Sequence, residues 1–255
     1  MLVDTHSHLF LEEFDVDRDE VIEAAKTAGI HKIVLPNVDS STIESLGEMV
    51  KQYPDTCYPA YGLHPGSVKK NFKEELQIVK DCLQNKNPIA IGEIGIDLYW
   101  DKTFRKEQEE AFKTQVDWAL EKNLPILVHN REAFDIVMDC LLAFDIKSWK
   151  GIFHCFTGTA EQATKVVDMG FLLGIGGVVT FKNAGLDNVV KHTGVGHLVL
   201  ETDSPYLAPV PKRGKRNESA YLVYIAEKIA EITETKLDDV SNITSYNALK
   251  LFGLK

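Results

Sequence analysis

Short apolar runs alternate with longer amphipathic segments along the whole chain. Most of the apolar runs are almost continuously hydrophobic, which is typical of parallel strands that are buried on both faces. We therefore predict eight strands, at residues 2–8, 32–38, 57–64, 89–97, 126–129, 151–156, 171–179 and 197–203.

The segments between the predicted strands have the apolar spacing of amphipathic helices. Phe112, Val116, Ala119 and Leu120 follow the i, i+4, i+7, i+8 pattern of one helix face, and a similar pattern recurs after the eighth strand. A last helix is predicted over residues 237–252. Strands begin about every 20 to 40 residues, which is the size of a βα unit. Eight such units in one chain predict an α/β fold, the (β/α)8 TIM barrel.

The chain length fits this fold, and the net charge limits the classes of function. The chain of 255 residues has the size of one barrel, and no linker, low-complexity segment or internal repeat divides it. We therefore expect a single domain over residues 1–255. The net charge of −10 argues against broad adhesion to nucleic acid or to an anionic membrane, but it is compatible with a local basic site.

The cysteines and the N-terminus bear on the cellular compartment. Cys57, Cys82, Cys140 and Cys155 fit neither a zinc motif nor a disulfide framework, which is typical of free thiols in a reducing compartment. The chain enters its first strand without a signal-peptide pattern, and no apolar run approaches the roughly 20 residues of a membrane span. We expect a cytoplasmic protein with no membrane association, and the sequence implies no stable protein partner.

Side chains that bind metal ions stand where six of the predicted strands end. Each of them alone is more often a buried, hydrogen-bonded residue than a ligand, but their common position is hard to attribute to chance. The carboxyl ends of barrel strands are where such proteins build their active sites. The residues are His6, His8, His64, Glu93, His129, His154, Glu201 and Asp203.

A mixed set of imidazoles and carboxylates suits Zn²⁺ or Mn²⁺, and Mg²⁺ less clearly. The predicted ligands are His6, His8, Glu93, His129, His154 and Asp203. They exceed what one tetrahedral ion needs, so we predict two divalent metal ions per subunit. Glu93 is the candidate to bridge both ions, and Asp203 to bind metal, to accept the proton of the attacking water, or both.

The loop after the eighth strand is basic within an acidic protein. Lys212, Arg213, Lys215 and Arg216 fall within five positions. Such a run is usually a solvated loop, but loops after the seventh and eighth strands of barrels are also frequent phosphate sites. Arg213 and Arg216 are therefore candidates to hold a substrate phosphate through paired hydrogen bonds.

Five further residues near the strand ends are considered for a role in the site. Tyr99, Trp100 and Phe104 are candidates to stack on a base or to close over the substrate, or they pack on neighbouring helices. Arg131 either reaches a substrate anion or begins the next helix. Cys155 is expected to point away from the site, because adjacent residues of a strand face opposite sides.

Together these motifs resemble the TatD family of metal-dependent deoxyribonucleases, within the amidohydrolase-like barrels. The resemblance spans nearly the whole chain. It implies that the same six residues are the metal ligands and that the activity is hydrolysis of DNA phosphodiester bonds, expected to be exonucleolytic. The motifs are Asp4-Thr5-His6-Ser7-His8, Gly62-Leu63-His64-Pro65, Gly92-Glu93-Ile94-Gly95-Ile96-Asp97, Val128-His129-Asn130-Arg131, His154-Cys155-Phe156-Thr157-Gly158, Glu201-Thr202-Asp203-Ser204-Pro205-Tyr206-Leu207 and Arg213-Gly214-Lys215-Arg216-Asn217-Glu218.

The chain departs from the family pattern at two positions. Ser7 stands where many members have cysteine, and it is expected to point away from the metal. Ser219 stands where proline is common, which leaves the entry into the following helix open.

The residues and the resemblance predict a two-metal phosphodiesterase that acts on DNA. Asp203 and Glu93 are its expected catalytic residues, and His64, Arg213 and Arg216 are expected to position the phosphate. One alternative is a small-molecule hydrolase of amides, lactones or phosphoesters on the same barrel; only a DNA substrate should lose affinity steeply with salt. A second alternative is a non-catalytic metal-binding scaffold, although a structural site needs only a closed shell of about four ligands.

Overall fold

Eight parallel strands form one sheet in which each strand pairs with the next along the chain. The structure is a computed structural model that describes residues 1–255. Helices alternate with the strands, so the predicted (β/α)8 barrel is confirmed. The strands are β1 (Leu2–Asp4), β2 (Ile30–Pro36), β3 (Cys57–Tyr61), β4 (Ala90–Asp97), β5 (Ile126–Arg131), β6 (Gly151–Phe153), β7 (Leu172–Ile175) and β8 (Leu198–Leu200).

Nine α-helices accompany the strands. The helix predicted over residues 237–252 has these bounds in the structure, and the pattern around Phe112 lies in a longer helix. None of the helices combines the length and the apolar composition that a membrane-spanning segment needs. They are α1 (Arg18–Thr27), α2 (Ile43–Gln52), α3 (Phe72–Asn85), α4 (Arg105–Lys122), α5 (Phe134–Leu142), α6 (Ala160–Asp168), α7 (Leu186–Thr193), α8 (Leu222–Thr233) and α9 (Leu237–Phe252).

The carboxyl ends of several strands lie earlier than the hydrophobic pattern predicts. The predicted strand 151–156 ends at Phe153, and the predicted strand 197–203 ends at Leu200. Cys155 and Asp203 adopt left-handed backbone conformations, with φ of +45° and +55°. This conformation is incompatible with a strand and costs roughly 1–2 kcal/mol for a residue other than glycine. The chain therefore leaves the sheet where the candidate metal ligands begin.

A buried carboxylate joins the first strand to the segment after the last one. Asp4 accepts hydrogen bonds from the backbone and hydroxyl of Thr202, at 3.0 and 2.7 Å, and from the hydroxyl of Ser219 at 2.6 Å. Burial raises the pKa of Asp4 to about 7, although these hydrogen bonds oppose the shift. Ser219 thus helps to close the barrel. The backbone N–H of Thr5 also donates to the carbonyl oxygen of Leu200 at 3.0 Å.

Two separate apolar cores stabilise the barrel. The larger core lies between the strands and the surrounding helices. The smaller core fills the barrel interior, and α9 covers its amino-terminal end with Ala248 and Phe252. The candidate ligands follow the opposite ends of the strands. The strand residues of the smaller core are Val3, Val34, Ala60, Ala90, Leu127, Ile152 and Val199.

Gly95 allows the two central strands of the site to approach each other. It adopts φ of +149°, and a Cβ atom there would overlap with the carbonyl oxygen of His129. Gly95 pairs with His129 in the register of β4 and β5. Only glycine fits this close contact, which places Glu93 beside His129.

Candidate metal centre

All six predicted metal ligands converge at the carboxyl end of the barrel. Their ligand atoms fall into four overlapping groups, in each of which the atoms lie within 4.8 Å of one another. One group joins His154 to Cys155 and Glu201. His64, which the sequence associates with substrate rather than with metal, belongs to another. The other three groups are His6, His8 and Asp203; His6, Glu93 and His154; and His64, Glu93 and His129.

Glu93 connects the last two groups, as expected of a bridging ligand. Its Oε2 lies 3.1 Å from His6 Nε2, whereas its Oε1 lies 2.6 Å from His129 Nδ1 and 3.4 Å from His154 Nε2. The residue is only 3% exposed. Burial would raise its pKa, but the charges of His6, His64 and His154 outweigh burial and hold the pKa well below its ordinary value. Glu93 therefore remains a carboxylate.

His8 and Asp203 lie on the other side of His6. His8 Nε2 is 3.2 Å from His6 Nε2 and 3.5 Å from Asp203 Oδ1. The other nitrogen of His8 lies 3.2 Å from the carbonyl oxygen of Pro36. A carbonyl can only accept, so His8 Nδ1 carries a hydrogen, and Nε2 is the nitrogen that faces the site. Burial would raise the pKa of Asp203, but hydrogen bonding to His8 and the charge of His154 lower it.

His154 is oriented by Glu201, a residue for which the sequence suggested no separate role. His154 Nδ1 lies 3.1 Å from Glu201 Oε1, at an angle unfavourable for an ideal hydrogen bond. The fully buried Glu201 also accepts the backbone N–H of Cys155 at 2.5 Å. A Cβ atom at Gly174 would overlap with this carboxylate, so glycine leaves the space that it occupies. Burial opposes a charge on His154, but Glu201 and Glu93 outweigh it and raise the pKa of His154 to about 10.

His129 has a carboxylate at each ring nitrogen. Nδ1 faces Glu93, and Nε2 lies 3.0 Å from Asp97 Oδ2. Asp97 also accepts the backbone N–H of Tyr99 at 2.9 Å. Burial lowers the pKa of His129, but Asp97 and Glu93 outweigh burial, and the net shift is upward. Asp97 thus fixes the ring that the sequence identified as a ligand.

His64 presents a hydrogen-bond donor to the site. Its Nδ1 accepts the backbone N–H of Gly66 at 2.9 Å. The hydrogen of the neutral ring is therefore on Nε2, which lies 3.5 Å from Glu93 Oε1. This tautomer suits a contact with a substrate oxygen better than it suits a metal ion.

The donor set fits divalent cations. Metal binding requires neutral imidazoles and ionised carboxylates, and the lowered pKa values of Glu93 and Asp203 supply the latter. Burial and the charge of His154 lower the pKa of His6 and favour its neutral form. The neighbouring carboxylates raise the pKa of His129 and His154, so a metal ion would displace a proton from each of these two rings.

A cavity of about 660 Å³ opens above the ligands. Trp100, Arg131, Tyr206 and Leu207 lie at its sides. Cys155 also lines it, so the prediction that this residue points away is wrong. The left-handed conformation of Cys155 ends the strand alternation on which that prediction depended.

The two arginines of the basic loop do not line this cavity. The guanidinium of Arg216 makes two hydrogen bonds to the Asp17 carboxylate, at 2.8 and 2.6 Å, and lies 4.4 Å from the Phe14 ring centre. Arg213 lies over Phe181, with its guanidinium carbon 4.4 Å from the ring centre. Arg216 is therefore engaged within the protein, and the structure gives no support to its predicted phosphate contact.

The barrel and its ring of imidazoles and carboxylates define a metal-dependent hydrolase. The sequence model of the family described as TatD related DNase matches residues 3–253, and the chain belongs to this family. It is 44% identical over 255 residues to the uncharacterized metal-dependent hydrolase YabD of Bacillus subtilis, with 100% of both chains covered.

Two further relatives extend the comparison. The chain is 30% identical over 259 residues to a protein of Pantoea ananatis named 3'-5' ssDNA/RNA exonuclease TatD, covering 99% of this chain and 100% of the relative. The crystal structure of YjjV, a TatD homologue from Escherichia coli K12, superposes with a TM-score of 0.93 at 26% identity. That match covers 100% of this chain and 98% of YjjV.

Proposed function

We propose that the chain is an exonuclease that hydrolyses phosphodiester bonds of single-stranded DNA with two divalent cations. The observation that carries this proposal is that Glu93 belongs to two of the groups of potential ligands and faces histidines with both of its carboxylate oxygens. Such a bridge suits two-metal hydrolysis of phosphodiesters. The exonuclease name of the Pantoea relative supports the substrate class and a 3'-to-5' direction.

Each residue of the site has a distinct role in this proposal. Bound cations supply an activated water molecule and charge that stabilises the leaving oxygen. Asp203 is ionised and borders the cavity, so it accepts the proton of the attacking water. His64 Nε2–H donates a hydrogen bond to a non-bridging phosphate oxygen. Glu201 and Asp97 hold His154 and His129 in orientation.

The depth of the site favours binding of the end of a DNA single strand over binding of an internal position in a duplex. Glu93 and His154 lie at the floor of the cavity and are almost inaccessible from outside. A terminal nucleotide of a single strand can enter such a cavity, whereas a duplex first has to separate its strands at an energetic cost. We therefore propose that single strands are cleaved faster than duplexes of the same sequence.

The experiment is cleavage of a 5'-labelled single-stranded oligonucleotide by chelator-stripped protein, with Mg²⁺, Mn²⁺ or Zn²⁺ restored in turn. We expect a ladder that shortens from the 3' end only when metal is present. Glu93→Gln should abolish it, whereas Glu48→Gln, an exposed carboxylate on α2, should not.

Two results would contradict the proposal. Cleavage that survives in Glu93→Gln would indicate a contaminating nuclease. Turnover of a lactone, amide or phosphotriester panel without DNA cleavage would assign the site to a small-molecule hydrolase on the same barrel.

The cellular compartment is a separate proposal. The four cysteines are all free thiols, and three of them are buried. Unpaired thiols are typical of a reducing compartment. This supports the cytoplasm as the location of the protein.

A further inference from the structure

An exposed tryptophan stands at the rim of the cavity. The loop after β4 carries Trp100, which is 79% exposed. The other two tryptophans, Trp118 and Trp149, are 8% and 5% exposed. A large aromatic side chain gains nothing from contact with water, and such residues at the edge of a site often mark a binding surface.

An unpaired arginine lies beside this tryptophan. Arg131 ends β5 and lines the cavity. Its guanidinium carbon is 3.8 Å from the ring centre of Tyr99 and 5.5 Å from that of Trp100. Unlike Arg216, it forms no ion pair with a carboxylate. Its charge is therefore available to an anion in the cavity.

The position of these side chains is tied to the metal centre. Tyr99 and Trp100 contact edge to face, with ring centres 4.8 Å apart. The Asp97 carboxylate accepts the backbone N–H of Tyr99 and lies 3.0 Å from His129 Nε2. One carboxylate thus fixes both a candidate metal ligand and the start of the aromatic loop.

We propose that Tyr99, Trp100 and Arg131, here called the aromatic ledge, bind the nucleotide next to the scissile phosphate. The unpaired base stacks on Trp100, and the phosphate of that nucleotide accepts hydrogen bonds from Arg131. This inference rests on the proposed nuclease function and adds a binding site for the strand.

The ledge suits a single strand of any sequence. Every base offers an aromatic face, so stacking tolerates all four bases, whereas in a duplex those faces are already covered. A single arginine supplies charge for one phosphate, in a protein whose net charge of −10 repels a polyanion elsewhere. The ledge therefore predicts local binding of one or two nucleotides.

Tryptophan fluorescence tests the ledge without catalysis. Trp100 is the exposed tryptophan, so we expect an oligothymidylate to change the fluorescence of wild-type protein in excess chelator. An abasic strand of equal length carries the same phosphates without bases and should cause a much smaller change. Trp100→Phe should remove the signal. An unchanged wild-type spectrum at saturating oligonucleotide would overturn the proposal.

Kinetics supply a second test. Stacking of one base by an exposed aromatic predicts that Trp100→Ala raises KM for single-stranded DNA by about tenfold or more, with a smaller change in kcat. The ratio of kcat/KM for the oligonucleotide to that for bis(p-nitrophenyl) phosphate should fall. Tyr246→Ala, which removes an exposed aromatic side chain from α9, is the matched control and should keep the wild-type ratio.

Arg131→Gln tests the phosphate contact. Loss of one phosphate contact should weaken binding of all sequences and reduce the salt dependence of binding by about one ion. Wild-type salt dependence in this variant would overturn the role of Arg131.

The two proposals fail differently. If DNA changes the fluorescence but is not cleaved, the ledge stands and the nuclease function falls. If DNA is cleaved and Trp100→Ala keeps the wild-type KM, the ledge falls and the nuclease function stands.

Discussion

The ring orientations of His8 and His64 depend on the partner of the second ring nitrogen. Pro36 fixes the ring of His8 with Nε2 toward the site, and Gly66 fixes His64 with an N–H toward it. The same residue type is therefore a candidate ligand at one position and a candidate hydrogen-bond donor at another.

The buried carboxylate of Glu201 should control metal affinity through His154. Glu201→Gln keeps the shape of the side chain and an acceptor for Cys155, but removes the charge opposite the imidazole. We expect metal affinity to fall by about 10- to 100-fold, which is the usual cost of losing such a partner. Calorimetric titration with Mn²⁺ measures this. Glu48→Gln is the control, and equal affinities in the two variants would refute the role of Glu201.

The four thiols should resist alkylation in the folded protein. Burial raises the pKa of Cys57 to about 12 and also raises the pKa of Cys82, Cys140 and Cys155, so the reactive thiolate is scarce at neutral pH. Mass spectrometry after iodoacetamide treatment at pH 7.5 should find almost no label until denaturant is added. Rapid native labelling of Cys155 would contradict this account.

At the scale of single residues, the sequence identifies the candidate ligands better than it identifies the side chains that contact them. Six candidate ligands follow apolar runs, and the fold brings all of them together. Glu201 and Asp97 act through other side chains, and no local pattern distinguishes them from ordinary polar residues. The sequence alone suggests that Arg216 has no ion-pair partner, because Asp17, which pairs with it in the structure, lies 199 positions away in the chain.

An ion pair attaches the basic loop to the start of α1. Arg216 connects the segment before α8 to Asp17 at the start of α1. The pair is partly exposed, so it contributes at most about 1 kcal/mol. Its hydrogen bonding lowers the pKa of Asp17. The contribution is therefore fully present above the ordinary pKa of 3.8 and is lost as the pH falls through the lower value of the folded state.

Asp17→Asn should loosen this loop while leaving the barrel folded. We expect faster trypsin cleavage after Lys212, Arg213 or Lys215, with a Tm reduced by at most about 2–4 °C. Asp117→Asn, at an exposed position on α4, is the control. A digestion rate equal to that of the control would show that the ion pair does not restrain the loop.

The ends of the strands show why the sequence does not predict element boundaries accurately. The predicted strand extends from 197 to 203, yet β8 ends at Leu200, where the apolar residues end. Cys155 is not a residue type that favours a positive φ, and aspartate is enriched there without being restricted to it, so neither residue predicts the end of its strand. The hydrophobic pattern records burial, and these residues stay largely buried after the strand has ended.

At the scale of the molecule, the two ends of the barrel have different tasks. The carboxyl end carries the candidate metal centre, whereas α9 closes the amino end with Phe252. Repeated βα units predict the barrel, and periodicity predicts α9 as an additional helix. That α9 closes the interior core depends on tertiary packing, which the sequence pattern does not record.

Phe252→Ala should destabilise the barrel without changing the site directly. Phe252 is buried, and removal of its ring should cost about 3 kcal/mol. The expected loss in Tm is about 6–12 °C for a chain of this size. Urea denaturation measures the free energy of unfolding, with Tyr246→Ala as the exposed control. A loss below that of the control would show that α9 does not support the interior core.

The central claim is that one ligand ring binds two divalent cations and thereby hydrolyses DNA. The most direct measurement is a Mn²⁺ titration of chelator-stripped protein that follows metal binding and oligonucleotide cleavage in parallel. We predict that two ions bind per chain and that cleavage rises as the second ion binds. Metal binding and cleavage should both be weaker in Glu93→Gln. Full cleavage with one ion per chain, or cleavage in excess chelator, would contradict it.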